Sequence, residues 1–529
     1  MSALLGAATF MHFCGRNLAD PDMWGHLARG REILRAGAII RVDTLSYTVP
    51  GQPFYNHEWL ADVVIAALFG LLGSGGLLLL KLTLGVVMLG AMLDGARTLA
   101  SELRPRSVLH PVTTVAVLVL VLAVIAPGAT FRPQLFSMAG LALEWALLER
   151  ADRRLRASGR FGWELLVVPL LLLVWANLHG GFLIGIALIG IHATAVASRV
   201  LWPIHVPGDV PLRSRHAVGI LAVAAAAAIA SIANPHGPAL YVFLAETLGV
   251  HGESSEWQPI TLLGGDFLRF KLLVIATAVT VGFWTVGRRD LALVRTTLDW
   301  RVAFLTVATL YAFRHQRHAV LFAIAAAPVL MALVEAIRGE VVTAQPRLRL
   351  SPAASAMIGA GALGVAGLQM LGIGSQLARH GFDIRYARLG YPLEAVQFLT
   401  ASGLGGNVAA PFIWGAYVHH KLGPQSRVFI DERFDAVYPP WVIEDYFAFA
   451  HGTPGWERLL DDYPTDVVIV QRGSGIHPRL FARPDLTYVY SDPVALVFVR
   501  RSERTAAALD RVLASDRRPA PQVLAATFP

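Results

Sequence analysis

The sequence predicts a polytopic α-helical membrane protein with a small α/β domain at its C-terminal end. Three observations predict it. The 529 residues are 55% hydrophobic and only 16% charged, with a mean hydropathy of +0.54, whereas a soluble domain carries about 25% charged residues. Apolar runs recur that approach the roughly 20 residues needed to cross a bilayer. From about Ser375 the pattern changes to short β-like runs alternating with amphipathic stretches.

Taken in order, the expected spans begin with a short one, Ser2–Gly15. A polar, aromatic stretch from Arg16 to Leu60 follows. Glu58–Gly70 is apolar but short, and reads as interfacial or half-inserted. Gly73, Gly75 and Gly76 break the run, and Leu77–Ala96 is a clear span. Further spans are expected at Val108–Ala126, Gln134–Leu148, Leu165–Asn177, Phe182–Leu201 and Ala217–Ala233. The last group is Lys271–Val286, Val302–Phe313, Ala319–Ile337 and Pro352–Ile373, giving about eleven in all. No cleavable signal peptide is required. The single cysteine, Cys14, excludes an intrachain disulfide.

Orientation comes from arginine. The net charge of +8 is carried almost entirely by arginine, since lysine occurs only at Lys81, Lys271 and Lys421. The arginines cluster between apolar runs, which marks topology and not a nucleic-acid surface. Loops around Arg97/Arg104/Arg106, Arg150–Arg160, Arg213/Arg215, Arg288/Arg289/Arg295 and Arg338 are expected inside. This holds if Glu58–Gly70 does not cross. The Arg16–Leu60 loop then lies outside, together with Phe131-Arg132-Pro133-Gln134, Trp175–Gly181, Asn234–Gly237, Glu253–Phe270 and Phe313–His318. These turns are rich in His, Arg, Asn and Trp, so the site is expected on their face.

In the C-terminal part, strands are expected at Asn407–Ala410, Arg427–Ile430, Asp466–Val470, Leu486–Tyr490 and Ala495–Val499. Helices are expected at Pro392–Thr400, Trp441–Ala450, Gly455–Asp461 and Ile476–Ala482. The expected domains are a helical membrane domain (1–374), an outer α/β domain (375–501) and a polar, Ala/Arg/Pro-rich tail (502–529) that reads as partly disordered. The chain has no Walker loop, no GxGxxG opening a helix, no CxxC pair and no internal repeat.

Four groups carry possible chemistry. Asp20-Pro21-Asp22 places two carboxylates just past a span, suited to a general base or one side of a divalent-metal site. Pro21 also fits a helix start, so a cap at the membrane surface is the plain alternative. His26 falls one turn after Asp22, which suits a metal ligand or an Asp–His pair, against a local hydrogen bond. His57-Glu58 precedes an apolar segment, so Glu58 is a substrate ligand or an interfacial anchor. Trp24, Tyr55 and Trp59 read as an aromatic belt or as sugar-stacking rings. Arg314-His315-Gln316-Arg317-His318 is an outer-edge run whose forked arginines suit phosphate. Snorkelling does not explain five polar residues on that face. Arg132, Asn177, His179 and His236 are lesser candidates: each stands alone in a turn, where helix packing or capping is the plainer reading than a ligand contact. Asp431-Glu432-Arg433 follows an apolar strand, as a crevice-lining or turn-forming acidic pair.

The residues Asp20-Pro21-Asp22-Met23-Trp24-Gly25-His26-Leu27, followed by Asn56-His57-Glu58-Trp59-Leu60, resemble the first external loop of the GT-C superfamily. These are polytopic glycosyltransferases that use polyprenyl-phosphate sugars. Over nearly its full length the chain also resembles a group of bacterial membrane proteins. In that group runs like Phe131–Gln134, Trp175–Gly181, Asn234-Pro235, Val428–Asp431 and Gly455-Trp456-Glu457 recur in the same order. Gly25 stands where that group carries a second tryptophan, which would widen the acceptor side.

The resemblance implies a GT-C-like membrane fold and transfer of a sugar from a polyprenyl-phosphate donor to a glycan, lipid or protein acceptor. Asp22 or Asp20 would deprotonate the acceptor, with inversion at the anomeric carbon, and Arg314 and Arg317 would hold the donor phosphate. His26, His57, Glu58, Arg132, His179, His236, His315 and His318 are the expected binding residues. A divalent metal (Mg or Mn) held by Asp20, Asp22 and His26 is the candidate cofactor. The expected location is the bacterial inner membrane, with the α/β domain extracytoplasmic. Two rival readings are a transporter or flippase for a lipid-linked glycan and a non-catalytic assembly factor. The flippase reading predicts ionisable residues within spans, where Glu144 is one of few.

Overall fold

The computed structural model describes residues 20–345 and 383–515, except 106, 204–208, 248–254, 287–290, 386–389 and 424, together with 527–528 and isolated positions between 357 and 375. The expected span Ser2–Gly15, most of Pro352–Ile373, and Cys14, Arg106, Arg288 and Arg289 therefore lie outside the described residues.

The helices run in order as α1 (Met23–Ala36), α2 (Trp59–Leu103), α3 (Pro111–Ile125), α4 (Gln134–Ser158), α5 (Glu164–Leu178), α6 (Phe182–Leu201) and α7 (Ser214–Ser231). Next come α8 (Ala239–Thr247), α9 (Leu268–Val286), α10 (Leu291–Arg314) and α11 (Ala319–Ala344). Gly73 breaks α2, at φ 59° and ψ −151°, a backbone conformation that favours glycine. The glycine-rich interruption read from the sequence is thus a real break inside one helical run.

Two compact units divide the chain. One contains residues 78–238 and 252–382 with the first sixteen residues; the other joins 17–77, 239–251 and 383–529. The described part of the opening loop, 20–60, therefore belongs to the same unit as the C-terminal α/β region.

The first unit is helical. Its centre is α11, an alanine-rich helix whose Ala323, Ala325, Ala326, Ala327, Val329, Ala332 and Leu333 are fully buried. Small side chains let α3, α9 and α10 pack closely on it. Gly140 does the same for α4, since a Cβ there would lie 2.8 Å from the Trp175 ring. Buried ion pairs join three helices: Arg301 forks onto Glu149 (Nε–Oε1 2.8 Å, Nη2–Oε2 2.5 Å), and Arg199 bonds both Asp299 (2.7 Å) and Asp152 (2.7 Å).

Among the described residues, six helices are long and apolar enough to cross a membrane: Trp59–Leu103, Pro111–Gly128, Phe182–Leu201, Ser214–Ser231, Leu268–Val286 and Gln316–Ala344. Glu164–Leu178 is a shorter apolar helix. The expected count of about eleven is not reached. The spans expected at Gln134–Leu148 and Val302–Phe313 lie within α4 and α10, which continue into the charged residues that form the ion pairs.

The second unit contains a five-stranded mixed sheet. Its strands are β2 (Asn407–Ala409), β3 (Arg427–Val428), β4 (Val467–Gln471), β5 (Leu486–Ser491) and β6 (Ala495–Arg500), in the order β3-β2-β4-β6-β5. The two-residue β1 (Ile384–Arg385) pairs separately with β7 (Thr527–Phe528). β2 runs parallel to β3 and β4; β6 is antiparallel to β4 and β5. Helices α12 (Leu393–Ser402), α13 (Phe412–Leu422) and α14 (Pro440–His451) flank it. The core gathers Phe429, Ile430, Val468, Leu496, Phe498, Trp456 and Leu459.

The opening loop is part of this layer. Tyr47 N–H donates to Val428 O and Val428 N–H to Leu45 O, each at 3.1 Å. Loop residues thereby cover the β3 edge, whose backbone groups would otherwise stand open. Within the expected tail, Ala506–Ala514 is helical, with Leu509 fully buried.

Candidate active site

Helix α1 begins at the Asp20-Pro21-Asp22 turn. Asp20 Oδ1 accepts the Asp22 N–H at 3.2 Å, and Met23 N–H donates to Asp20 O at 3.1 Å. Asp22 is the N-cap by position but makes no side-chain capping bond. Its carboxylate still stands at the positive end of a helix, a favourable place for negative charge. The helix stops at Gly37, at φ 63°, whose N–H reaches Ile33 O.

The first turns of α1 are buried on all sides, from Met23 to Leu27, followed by Arg29, Gly30 and Ile33. Trp24 packs edge-on against Tyr417 of α13, with centroids 5.0 Å apart, and Lys421 Nζ lies 5.4 Å from its ring. Two glycines admit polar partners. A Cβ at Gly25 would overlap the Glu432 carboxylate, and one at Gly30 would overlap the Asp62 backbone carbonyl. Gly25, which the sequence reading treated as a missing tryptophan, thus makes room for a carboxylate from the α/β region.

A buried network follows. Asp62, fully buried, receives His26 Nδ1 at 2.7 Å, Arg29 Nε at 3.2 Å and Asn56 Nδ2 at 2.9 Å. Arg29 Nη1 donates onward to Glu432 Oε1 at 2.7 Å. Glu58 stands 4.0 Å from His26 Nε2 and 3.9 Å from His57 Nε2. Beside this, Arg433 bonds Asp43 (2.5 Å) and Asp431 (2.7 Å), again tying the opening loop to the strand end.

The charges shape proton affinities. Burial opposes a charged His26 ring, yet the Asp62 bond and nearby carboxylates prevail and its pKa is raised. Burial, then the neighbouring Asp431 charge, pushes Glu432 up to about 7 despite Arg29. Burial also works against Asp431, but Arg433 holds it below the usual carboxylate range. Glu432 Oε2 is buried without a hydrogen-bond partner, in keeping with a carboxyl that readily holds a proton.

The sequence reading singled out Asp20, Asp22, His26, His57 and Glu58, and all five lie in this unit. It passed over Arg29 and Asp62. Arg29 is one turn from His26 and Asp62 one turn from Glu58, a spacing that could have flagged both. Among the described residues no group of three or more His, Cys, Asp or Glu side chains is placed to hold a metal ion. The expected Asp20–Asp22–His26 set does not form one, and His26 Nδ1 goes to Asp62. No chemical step below is routed through a metal.

The other expected residues belong to the first unit. Arg132 Nη1 bonds Glu256 at 2.6 Å. His179 Nδ1 lies 2.7 Å from Ser137 Oγ, which accepts Trp175 Nε1–H at 2.7 Å, and Gly181 N–H also donates to that nitrogen. Asn177 Nδ2 donates to Leu173 O and Ala233 O, and His236 N–H to Asn234 Oδ1. At the 314–318 turn, Arg317 stacks 4.5 Å from the Trp257 ring centroid and His315 Nδ1 lies 2.9 Å from Trp257 O. The His315 and His318 rings are 5.9 Å apart, and Arg314 is exposed.

No family model matches the chain, and no curated protein matches it. Solved structures do. The Archaeoglobus fulgidus oligosaccharyltransferase in the apo form aligns with a TM-score of 0.53 at 11% identity, over 89% of this chain and 69% of that one. The same archaeal enzyme, AglB, in complex with an inhibitory peptide and a dolichol-phosphate aligns equally well. The chain has a GT-C-like fold. ArnT from Cupriavidus metallidurans, bound to undecaprenyl phosphate, aligns over 95% of this chain and 97% of that one, at 14% identity and a TM-score of 0.45. The likeness of fold rests on the archaeal enzyme.

Proposed function

We propose that the protein is a membrane glycosyltransferase that moves a sugar from a polyprenyl-phosphate carrier to an acceptor hydroxyl on the extracytoplasmic face. The observation that carries this reading is the Asp20-Pro21-Asp22 turn opening α1, set against a buried ion network, in a chain with a GT-C-like fold. The similar archaeal enzyme has been captured with a dolichol-phosphate, which supports a lipid-phosphate donor. The arginine-rich loops support an outer position for the opening loop.

In this reading Asp22, or Asp20, takes the proton of the acceptor hydroxyl. The acceptor oxygen forms a bond to the anomeric carbon from the face opposite the phosphate. The carbon–oxygen bond to the phosphate breaks, and the lipid phosphate leaves with the electron pair. The helix N-terminus is a favourable place for the negative charge this role needs. Arg29, Asp62 and His26 hold α1 in place and touch no reacting atom. Arg314 and Arg317 are proposed to recognise phosphate.

The test is donor turnover. Purified protein in proteoliposomes is given labelled polyprenyl-phosphate hexoses and pentoses with envelope extract as the acceptor source. The reading expects free polyprenyl phosphate and labelled glycoconjugate to appear together. Movement of intact donor between leaflets without its consumption would favour the flippase reading. Binding of an envelope component without either would favour the assembly factor.

A further inference from the structure

A second polar feature lies in the first unit, among the arginine-rich loops. A cavity of about 380 Å³ is lined by Arg97, Ser101, Ser107, Val108 and Arg153, with Thr98 at its wall. Arg97, Thr98 and Ser101 come from the end of α2, Arg153 from α4, and Ser107 and Val108 from the connection into α3.

The arginines around this cavity are treated unequally. Arg150 bonds Asp94 through two nitrogens, at 2.7 and 2.6 Å. Arg154 bonds Glu164 at 3.1 Å, and Arg156 pairs with Glu102 and Asp152. Asp94, Glu164, Glu102 and Asp152 are thereby engaged with other arginines. Among the described residues, Arg97 and Arg153 have no carboxylate partner in hydrogen-bonding or ion-pair range, although both line the same cavity. Two guanidinium groups beside one concavity repel each other unless an anion lies between them. Ser107 brings a hydroxyl to the same wall, while the Ser101 hydroxyl donates to Thr98 O at 2.8 Å, and forked arginines beside a hydroxyl suit a set of phosphate oxygens. Val108 is 78% exposed at the edge, an apolar surface next to a cationic hollow.

We propose that this cavity binds a phosphate-bearing anion, with Arg97 and Arg153 as its two cationic ligands and Ser107 as a supporting hydroxyl. The apolar edge at Val108 favours an anionic lipid headgroup over a free phosphate, since an amphiphile fills both surfaces. The site is separate from the proposed transfer chemistry and does not rest on it.

The probes are phosphatidylglycerol, phosphatidylcholine and inorganic phosphate, offered to the full chain in detergent. Binding is read by native mass spectrometry and by the shift in unfolding temperature. The wild type should retain phosphatidylglycerol in preference to phosphatidylcholine. R97A/R153A should weaken that retention roughly tenfold or more, because charge-assisted bonds are lost. R97K/R153K, which keeps the charge without the fork, should fall between the two. R160A removes an exposed arginine of the connection between α4 and α5 that does not line the cavity, and should bind as the wild type does. Stabilisation by inorganic phosphate that equals the lipid's and vanishes in R97A/R153A would keep the anion site but make its ligand a soluble phosphate. Equal retention by wild type and R97A/R153A, or an equal loss in R160A, would overturn the proposal.

Discussion

Replacing Glu432 with glutamine should remove a pH dependence from the stability of the second unit. The Glu432 side chain is only 6% exposed, and burial beside Asp431 raises its pKa from 4.5 to about 7. Between those values the folded protein holds a proton that the unfolded chain has released. The associated stability is therefore complete below 4.5 and is lost as the pH climbs through about 7. The full difference amounts to at most about 3 kcal/mol. The amide introduced by E432Q is neutral throughout and can still accept the Arg29 N–H, while Arg29 keeps Asp62 as its charged partner. His26 adds a slope of the same sign, since its raised pKa also favours the protonated fold. That slope is common to both proteins and cancels in the comparison. The assay is thermal unfolding of purified wild type and E432Q at about pH 5 and about pH 8. The wild type should lose roughly 5–10 °C more than E432Q across that interval. Parallel curves for the two proteins would refute the reasoning.

Other expectations follow from the same geometry. Asp62→Asn leaves His26 and Arg29 short of a buried counter-charge and should destabilise the protein by about 3–5 kcal/mol, read by unfolding in detergent. Gly30→Ala should cost more than Gly25→Ala. The first meets a backbone carbonyl and the second the end of a flexible Glu432 side chain, and overpacking costs about 1–3 kcal/mol. In the first unit, Arg301→Ala should be as damaging as Asp62→Asn, whereas Arg301→Met with Glu149→Met should recover most of the loss, because replacing a buried pair outright removes the stranded charge. Arg314→Ala with Arg317→Ala should raise KM for the lipid-phosphate donor more than it lowers kcat, measured by donor consumption.

Much of the fold was legible because it is local. The five strands of the sheet fall where alternating β-branched runs lie between turn residues. Asn407–Ala409, Val467–Gln471 and Ala495–Arg500 match their expected positions within two residues. Helix α13 was missed because Pro411 and Gly415 interrupt its pattern, and the burial of Trp414 and Tyr417 rests on partners distant in sequence or outside the helix, Trp24 and Tyr391 on Tyr417 and the Gly390 carbonyl on Trp414. The expected span count is not confirmed among the described residues, and long helices such as α4 mix apolar and charged turns: Glu149 and Asp152 are paired with Arg301 and Arg199 inside the bundle.

The candidate site was half legible. Asp20, Asp22 and His26 stand out as a polar group beside an apolar run. Arg29–Glu432 and Asp43–Arg433 link residues roughly four hundred positions apart, and no local pattern encodes such a pairing. The glycine at position 25 shows the same limit, since its reason is a carboxylate from the far end of the chain.

The central claim is that an acid of the α1 turn acts as the base in sugar transfer. The most direct measurement is polyprenyl-phosphate sugar consumption by wild type, D20N and D22N, each normalised to folded protein and with matched unfolding temperatures. The account predicts that one of the two variants, D22N foremost, loses roughly 10²- to 10⁴-fold in turnover while remaining folded. Full turnover in both variants would contradict it.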